Sequence, residues 1–187
     1  MPETSQGLTY PGSTGHARIW EHLQELAQDV DAALSWLRNK PAAMLRQSSA
    51  QSFPASTYVP VTFQTEDLDD DPDGVGGHST SVNLSRYTAR YAGWYRVGGG
   101  FSFASNASGI RHAVWAVNGA QVPGTALAID ATTNSSSTRL PMRSVLVNLG
   151  IGDYVELWAW QGSGGSLSSD ATGTGQACMS VDFVRNQ

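Results

Sequence analysis

The chain has 187 residues, enough for one domain of ordinary size with a real core plus an appendage. Charged residues make up 14% of it, lysine occurs once (Lys40) and the formal charge is −5; it lacks the clustered basic residues that a phosphate backbone requires, so nucleic acid is excluded as a partner. Glycine, serine and threonine are abundant instead, as in all-β folds with many turns, and Cys178, the only cysteine, permits neither an intrachain disulfide nor a cysteine-based metal site.

Residues 1–15, MPETSQGLTYPGSTG, have no basic start and no apolar run, and no later stretch approaches the ~20 apolar residues that span a bilayer. They read as an anchoring arm, with Leu8 and Tyr10 as isolated apolar handles, on a protein made in the cytoplasm without a secretion signal or membrane insertion. Ser13 or Thr14 then caps a helix that runs without glycine or proline as far as Pro41, giving a stalk over 16–40. Within it Ile19, Leu23, Leu26, Val30, Ala33 and Leu37 are spaced 4, 3, 4, 3 and 4, the a/d seam of a coiled coil. Trp20, Ala27 and Leu34 widen the seam, which favours a trimeric coiled coil, or docking on another protein, over a two-stranded one; packing on the chain's own β domain is the alternative. The polar stretch at 41–52, which includes MLRQSSAQS, reads as a linker.

From residue 53 to residue 187 the pattern is β-like, with expected strands in TYVPVTFQT, SVNLSRYTA, GWYRVGGGFSFA, IRHAVWAVNG, ALAIDATT, RSVLVNLG, DYVELWAWQ and CMSVDFVRN. Short strands separated by Gly, Asn, Asp and Ser clusters predict a mainly β sandwich or jelly roll. In YAGWYRVGGGFSF the period of two assigns Tyr91, Tyr95, Val97, Phe101 and Phe103 to the interior and sends Trp94 to the other face. The glycines of VGGGF sit inside a strand, lack the P-loop pattern, and are expected to mark bulges or a close approach by another chain. In DYVELWAWQ the same alternation turns Tyr154, Trp158 and Trp160 outward, and a paired tryptophan surface needs a partner. Burial between protomers near a trimer axis is the leading expectation for Tyr154, Trp158 and Trp160, and a carbohydrate platform the second; Trp94 is grouped with them as trimer head interface or ligand platform, its side of the strand meeting solvent or another chain. Trp115 is expected in the interior or at an interface.

Asp69, Asp71 and Asp73, followed by Gly74, have the D-x-D-x-D-G spacing of a calcium loop, but its twelfth position is Thr80 instead of a bidentate glutamate and Pro72 interrupts it. A solvated acidic turn without metal is the favoured reading. No catalytic motif accompanies His16, His22, His78 or His112, so neither an active site nor a cofactor is expected.

The order VPVTFQTED, DDDPDGVGGH, SRYTARYAGWYRVGGGFSF, GIRHAVWAVNG, SVLVNLGIGDYVELWAWQ and MSVDFVR resembles the C1q-like domain of the complement and tumour-necrosis-factor jelly-roll superfamily, over residues 53–187. That resemblance implies a ten-stranded jelly-roll head assembled as a homotrimer around an axis lined by apolar and aromatic side chains, in keeping with a three-stranded stalk. Residues 7–34, GLTYPGSTGHARIWEHLQELAQDVDAAL, resemble the leader of tail-fibre and other appendage proteins of tailed bacteriophages. Together these imply a non-enzymatic virion protein, a short tail or baseplate appendage that contacts a host-surface glycan or protein and attaches to other virion proteins through its N-terminal arm and helix. A capsid decoration protein or head fibre is the alternative, and a free bacterial lectin-like module the more distant one.

Overall fold

The computed structural model describes residues 19–132 and 136–187, with side chains from Glu21 onward. It divides into two compact units, residues 1–40 and 41–187. In the first, α1 (Ile19–Arg38) is the helix predicted by the heptad spacing, with Glu21 in its first turn and Arg38 in its last, both favourable to the helix dipole. Leu23, Leu26, Val30 and Leu37 are 40–63% exposed, so the seam lies open in the single chain. The side chain of Ile19 and the whole of the 1–15 arm fall outside the described residues.

The second unit is a sandwich. Its first strands are β1 (Ala42–Arg46), β2 (Ser52–Phe53), β3 (Val59–Pro60), β4 (Thr65–Asp70) and β5 (Arg86–Thr88). There follow β6 (Gly93–Phe103), β7 (Ile110–Val117), β8 (Ala120–Gln121) and β9 (Leu127–Asp130). The last are β10 (Thr138–Leu149), β11 (Tyr154–Gln161), β12 (Leu167–Ser168) and β13 (Cys178–Arg185). One sheet has the order β10-β6-β13-β1-β4; the other is built on β3-β11-β7-β8, with β5 also paired to β11 and β9 to β7; β2 and β12 make a small ribbon.

The core fills the space between the sheets. From the five-stranded sheet come Leu45, Tyr95, Val97, Phe101, Phe103, Leu140, Met179 and Val181; from the other come Trp115, Val155, Leu157 and Ala159, all buried. Phe53 meets Phe101 and Phe103 edge-on at 5.1 and 5.4 Å, and Trp115 Nε1 donates across the sandwich to the carbonyl of Arg143 at 3.2 Å. Each such side chain contributes on the order of 1.5–3 kcal/mol by leaving water. The interior assignment of Tyr95, Val97, Phe101 and Phe103 therefore holds, whereas Tyr91 precedes β6, is only half-buried and hydrogen-bonds Asp73 instead.

Two sequence expectations need correction. Residues 41–52 are not a linker: β1 pairs with both β13 and β4, Ala43 and Leu45 enter the core, and Gln47 is fully buried. Polar composition suggested a tether, but here the polar groups close the fold: Gln47 N donates to the Ala177 carbonyl at 2.9 Å, and Gln51 Oε1 accepts from Thr62 N and Oγ1 at 2.9 and 3.1 Å. The acidic segment is likewise a strand over Asp67–Asp70, because β4 is an edge strand and charges at an edge cost little while discouraging further strand pairing.

The strand registers fix the two ends of the sandwich. Ala42, Asp70, Gly93, Leu149, Tyr154 and Arg185 lie at the end where the chain enters the head. At the far end lie Arg46, Phe103, Ile110, Thr138 and Gln161, together with the connections 104–109 and 162–177.

Candidate functional site

The four aromatic residues expected to form one interface do not share a face. Trp94 is on β6, in register with Asn148 and Arg185, half-buried on the outer face of the five-stranded sheet. Tyr154, Trp158 and Trp160 alternate on β11 and point outward from the opposite, six-stranded sheet. The alternation rule was right about direction for each strand; it carries no information about which sheet a strand joins.

Around Trp94 the five-stranded sheet presents a mixed surface of small, apolar and charged side chains. In its middle row the cross-strand neighbours are Leu68, Met44, Ser180 and Gly98; the next row holds Ala42, Asp182, Arg96 and Leu146, and on the other side Cys178 faces Gly100 and Pro141. Met44, Leu68 and Leu146 are 36%, 47% and 54% exposed. Gly98, Ser180 and Ala42 are small and lie beside exposed leucine and methionine, so a neighbouring surface can meet the sheet between the exposed, cross-strand paired Arg96 and Asp182 and the row of Met44.

The six-stranded sheet is different. Glu156, buried at 4% exposure, accepts from Ser85 Oγ at 2.6 Å and from Trp158 Nε1 at 3.0 Å, which fixes the Trp158 ring. The Arg86 guanidinium lies 4.1 Å above the Tyr154 ring and covers it. Val114 faces outward opposite Trp158 yet is 2% exposed, so side chains lie down over the sheet there. Trp160 belongs to another cluster, with His112 at 4.7 Å and Tyr58 at 6.4 Å between ring centroids. Tyr58 and His112 were not read as site residues. Tyr58 alternates with the buried Val61 and Phe63, which was legible; its meeting with His112 and Trp160 depends on three strands far apart in sequence.

At the acidic turn the carboxylates are committed to the protein itself. Asp69 accepts from Gly77 N and His78 N at 2.9 and 2.8 Å, and Asp71 from Asp73 N and Val75 N at 2.9 and 3.1 Å. The second oxygen of Asp71 ion-pairs with Arg90 Nε at 2.8 Å, and Arg90 Nη2 reaches Asp73 at 3.2 Å. The Tyr91 hydroxyl and then Arg90 hold the Asp73 carboxyl below the usual carboxylate range. Among the described residues no three His, Cys, Asp or Glu side chains converge on a cation position. Of the histidines, His16 lies outside the described residues, His22 is 3.5 Å from Glu25, and His78 sits between the carbonyls of Arg86 and Phe63 at 2.8 and 3.1 Å, fastening the turn to the sheet.

No protein-family model and no curated protein matches the chain. Solved structures do. The globular domain of zebrafish complement 1qA superposes with a TM-score of 0.51 at 16% identity, covering 79% of this chain and 99% of that one. This is a C1q/TNF-like jelly roll. Eiger TNF from S. frugiperda gives 0.54 at 13% identity, covering 80% and 96%, and murine APRIL gives 0.52 at 11%, covering 76% and 99%. At these identities the likeness is one of fold, and the β strands, not the helix, carry the jelly roll.

Proposed function

We propose that the chain is a non-enzymatic homotrimer, a short bacteriophage virion appendage whose helical stalk attaches to other virion proteins and whose three jelly-roll heads contact the host surface. The observation that carries the trimer is a pair of surfaces that expose large apolar side chains: the open heptad seam of α1 and the outer face of the five-stranded sheet, where Met44, Leu68 and Leu146 stand beside the charged pair Arg96 and Asp182. The five-stranded sheet is therefore assigned to the axis, with Met44, Leu68, Leu146 and Trp94 between protomers. Tyr154, Trp158 and Trp160 then face away from the axis, so the proposal does not use them to close the head. The C1q/TNF-like fold supports the assembly, and the phage-leader resemblance of residues 7–34 supports the virion setting. Three weak contacts presented together would multiply into avidity.

Light scattering tests the trimer: the intact protein should measure about 60 kDa from 19.9 kDa chains, and Leu146→Asp should shift it toward monomer with the far-ultraviolet spectrum unchanged. A monomeric parent overturns the assembly. Labelled electron microscopy of particles tests the setting, where signal on the tail or baseplate supports an appendage and signal on the shell favours the decoration reading.

A further inference from the structure

The ring cluster at the far end of the six-stranded sheet has no task in that assembly. His112 Nδ1 is 3.4 Å from Tyr58 Oη, at the outer limit of a hydrogen bond, and both rings border Trp160. Trp160 lies low because the next outward position is Gly162, where a Cβ would come within 3.0 Å of its ring. Ile110, 43% exposed, pairs its carbonyl with Gly162 N and extends the apolar surface. The bordering connections, ASNASG over 104–109 and GSGGSLSS over 162–169, contain amides, hydroxyls and glycines but no charged residue. Among the described residues the one cation nearby, Arg111, is fully buried and turned inward, donating to the carbonyls of Asn106 and Ser108 at 3.0 and 2.8 Å.

We infer that Tyr58, His112, Trp160 and Ile110 form a binding platform for a neutral glycan. A pyranose ring has one face of C–H bonds rimmed by hydroxyls; the C–H face settles on Trp160 and Tyr58, and the hydroxyls meet Tyr58 Oη, the imidazole and the uncharged loops. Size argues for this occupant over a protein. Aromatic side chains offer roughly 150–250 Å² each when fully exposed, and these are half-buried, so the rings expose on the order of 200 Å² in total. A stable protein partner needs about 800 Å² on each side. Charge argues against acidic sugars, because among the described residues no exposed cation stands ready to pair with a carboxylate and the exposed Asp130, opposite Ile110, would repel one.

This inference rests on assigning the five-stranded sheet to the trimer axis, which leaves the platform facing outward. The test is binding of the intact protein to an array of immobilised neutral and acidic oligosaccharides, with light scattering on the same sample. Neutral glycans should be retained, and Trp160→Ala and Ile110→Glu should each lower retention at least tenfold, while Trp158→Phe, which keeps a ring away from the platform, should change it less than twofold. Ile110 faces Asp130 across β7 and β9, so Ile110→Gln, which adds no like charge there, is measured beside Ile110→Glu, and the two decide the matter if Trp160→Ala does not fold. A trimer that retains no glycan, retains only acidic ones, or is indifferent to Ile110→Glu overturns the platform. A monomer that still binds neutral glycans overturns the axis assignment and leaves the platform standing.

Discussion

Gly98 and Gly99 are neighbours on β6 and should respond oppositely to the same methyl group. Gly99 has φ +150°, and a Cβ there would fall 2.1 Å from the Cys178 carbonyl oxygen and 3.0 Å from its carbon, both backbone atoms of the paired strand β13. Neither can rotate away, so Gly99→Ala must part β6 from β13 near the middle of the five-stranded sheet. Holding a non-glycine residue in this conformation costs about 1–3 kcal/mol, and the two ladder hydrogen bonds weakened beside it add roughly 1 kcal/mol each. Taking the total as about 4 kcal/mol, and about 2–4 °C per kcal/mol for a head of this size, the melting temperature should fall by roughly 8–16 °C. Gly98 has an ordinary φ, and its nearest neighbours would be Ser180 Oγ at 3.3 Å and Ser144 Oγ at 3.5 Å, hydroxyls that can turn aside. In the Leu146→Asp background, where the outer face of the sheet is not buried between protomers, Gly98→Ala should stay within about 2 °C of its parent, as for substitutions that strain nothing. Calorimetry of both variants and the parent in that background, at one protein concentration because assembly also raises the melting point, provides the comparison. A Gly99→Ala protein that melts with Gly98→Ala would refute the reasoning, since the strand separation would then not set the cost.

Leu26→Asp, in the middle of the exposed seam, should weaken the trimer or its incorporation into particles; normal assembly would show that the seam is unused. Arg111→Leu removes the buried donors to the Asn106 and Ser108 carbonyls and should cost about 1–3 kcal/mol per carbonyl left unpaired, read as a lower melting point and faster amide exchange across 104–110. Burial pushes the Tyr95 hydroxyl up to about 12, and Tyr87 shifts in the same direction. Because these folded-state values exceed the unfolded one near 10, the stability they contribute is complete below about pH 10 and is lost as pH rises towards 12. Phenolate absorbance and circular dichroism should therefore change together there, and full tyrosine ionisation in an intact fold would contradict it. A chelator should leave the melting temperature unmoved, as expected of aspartates committed to backbone amides and Arg90; a large drop would reveal a metal at Asp69, Asp71 or Asp73.

The helix, the β character of 53–187 and the inward set of β6 could be read directly, because each rests on a periodicity within one short segment. The heptad spacing gives α1, and a period of two separates Tyr95, Val97, Phe101 and Phe103 from Trp94, and Val155 and Leu157 from Trp158 and Trp160. Reading failed where composition stood in for pattern. Ala42–Arg46 is too short to show alternation, its polar continuation resembles a tether, and the carboxylates of Thr65–Asp70 have low strand propensity but sit at a protected edge.

What the tertiary structure alone decided is which faces belong together. Trp94 and Trp160 look equivalent in the sequence, each an outward aromatic ring in a strand, yet β6 and β11 enter opposite sheets and place them on opposite sides of the sandwich. Met44, Leu68 and Leu146 come from three distant strands and share one flat surface, and Tyr58, His112 and Trp160 share another. Alternation is a property of a single strand's pleat and survives in the sequence. Neighbourhood across strands is set by hydrogen-bond register between segments as distant as Ala42 and Asp182, and no local spacing encodes it.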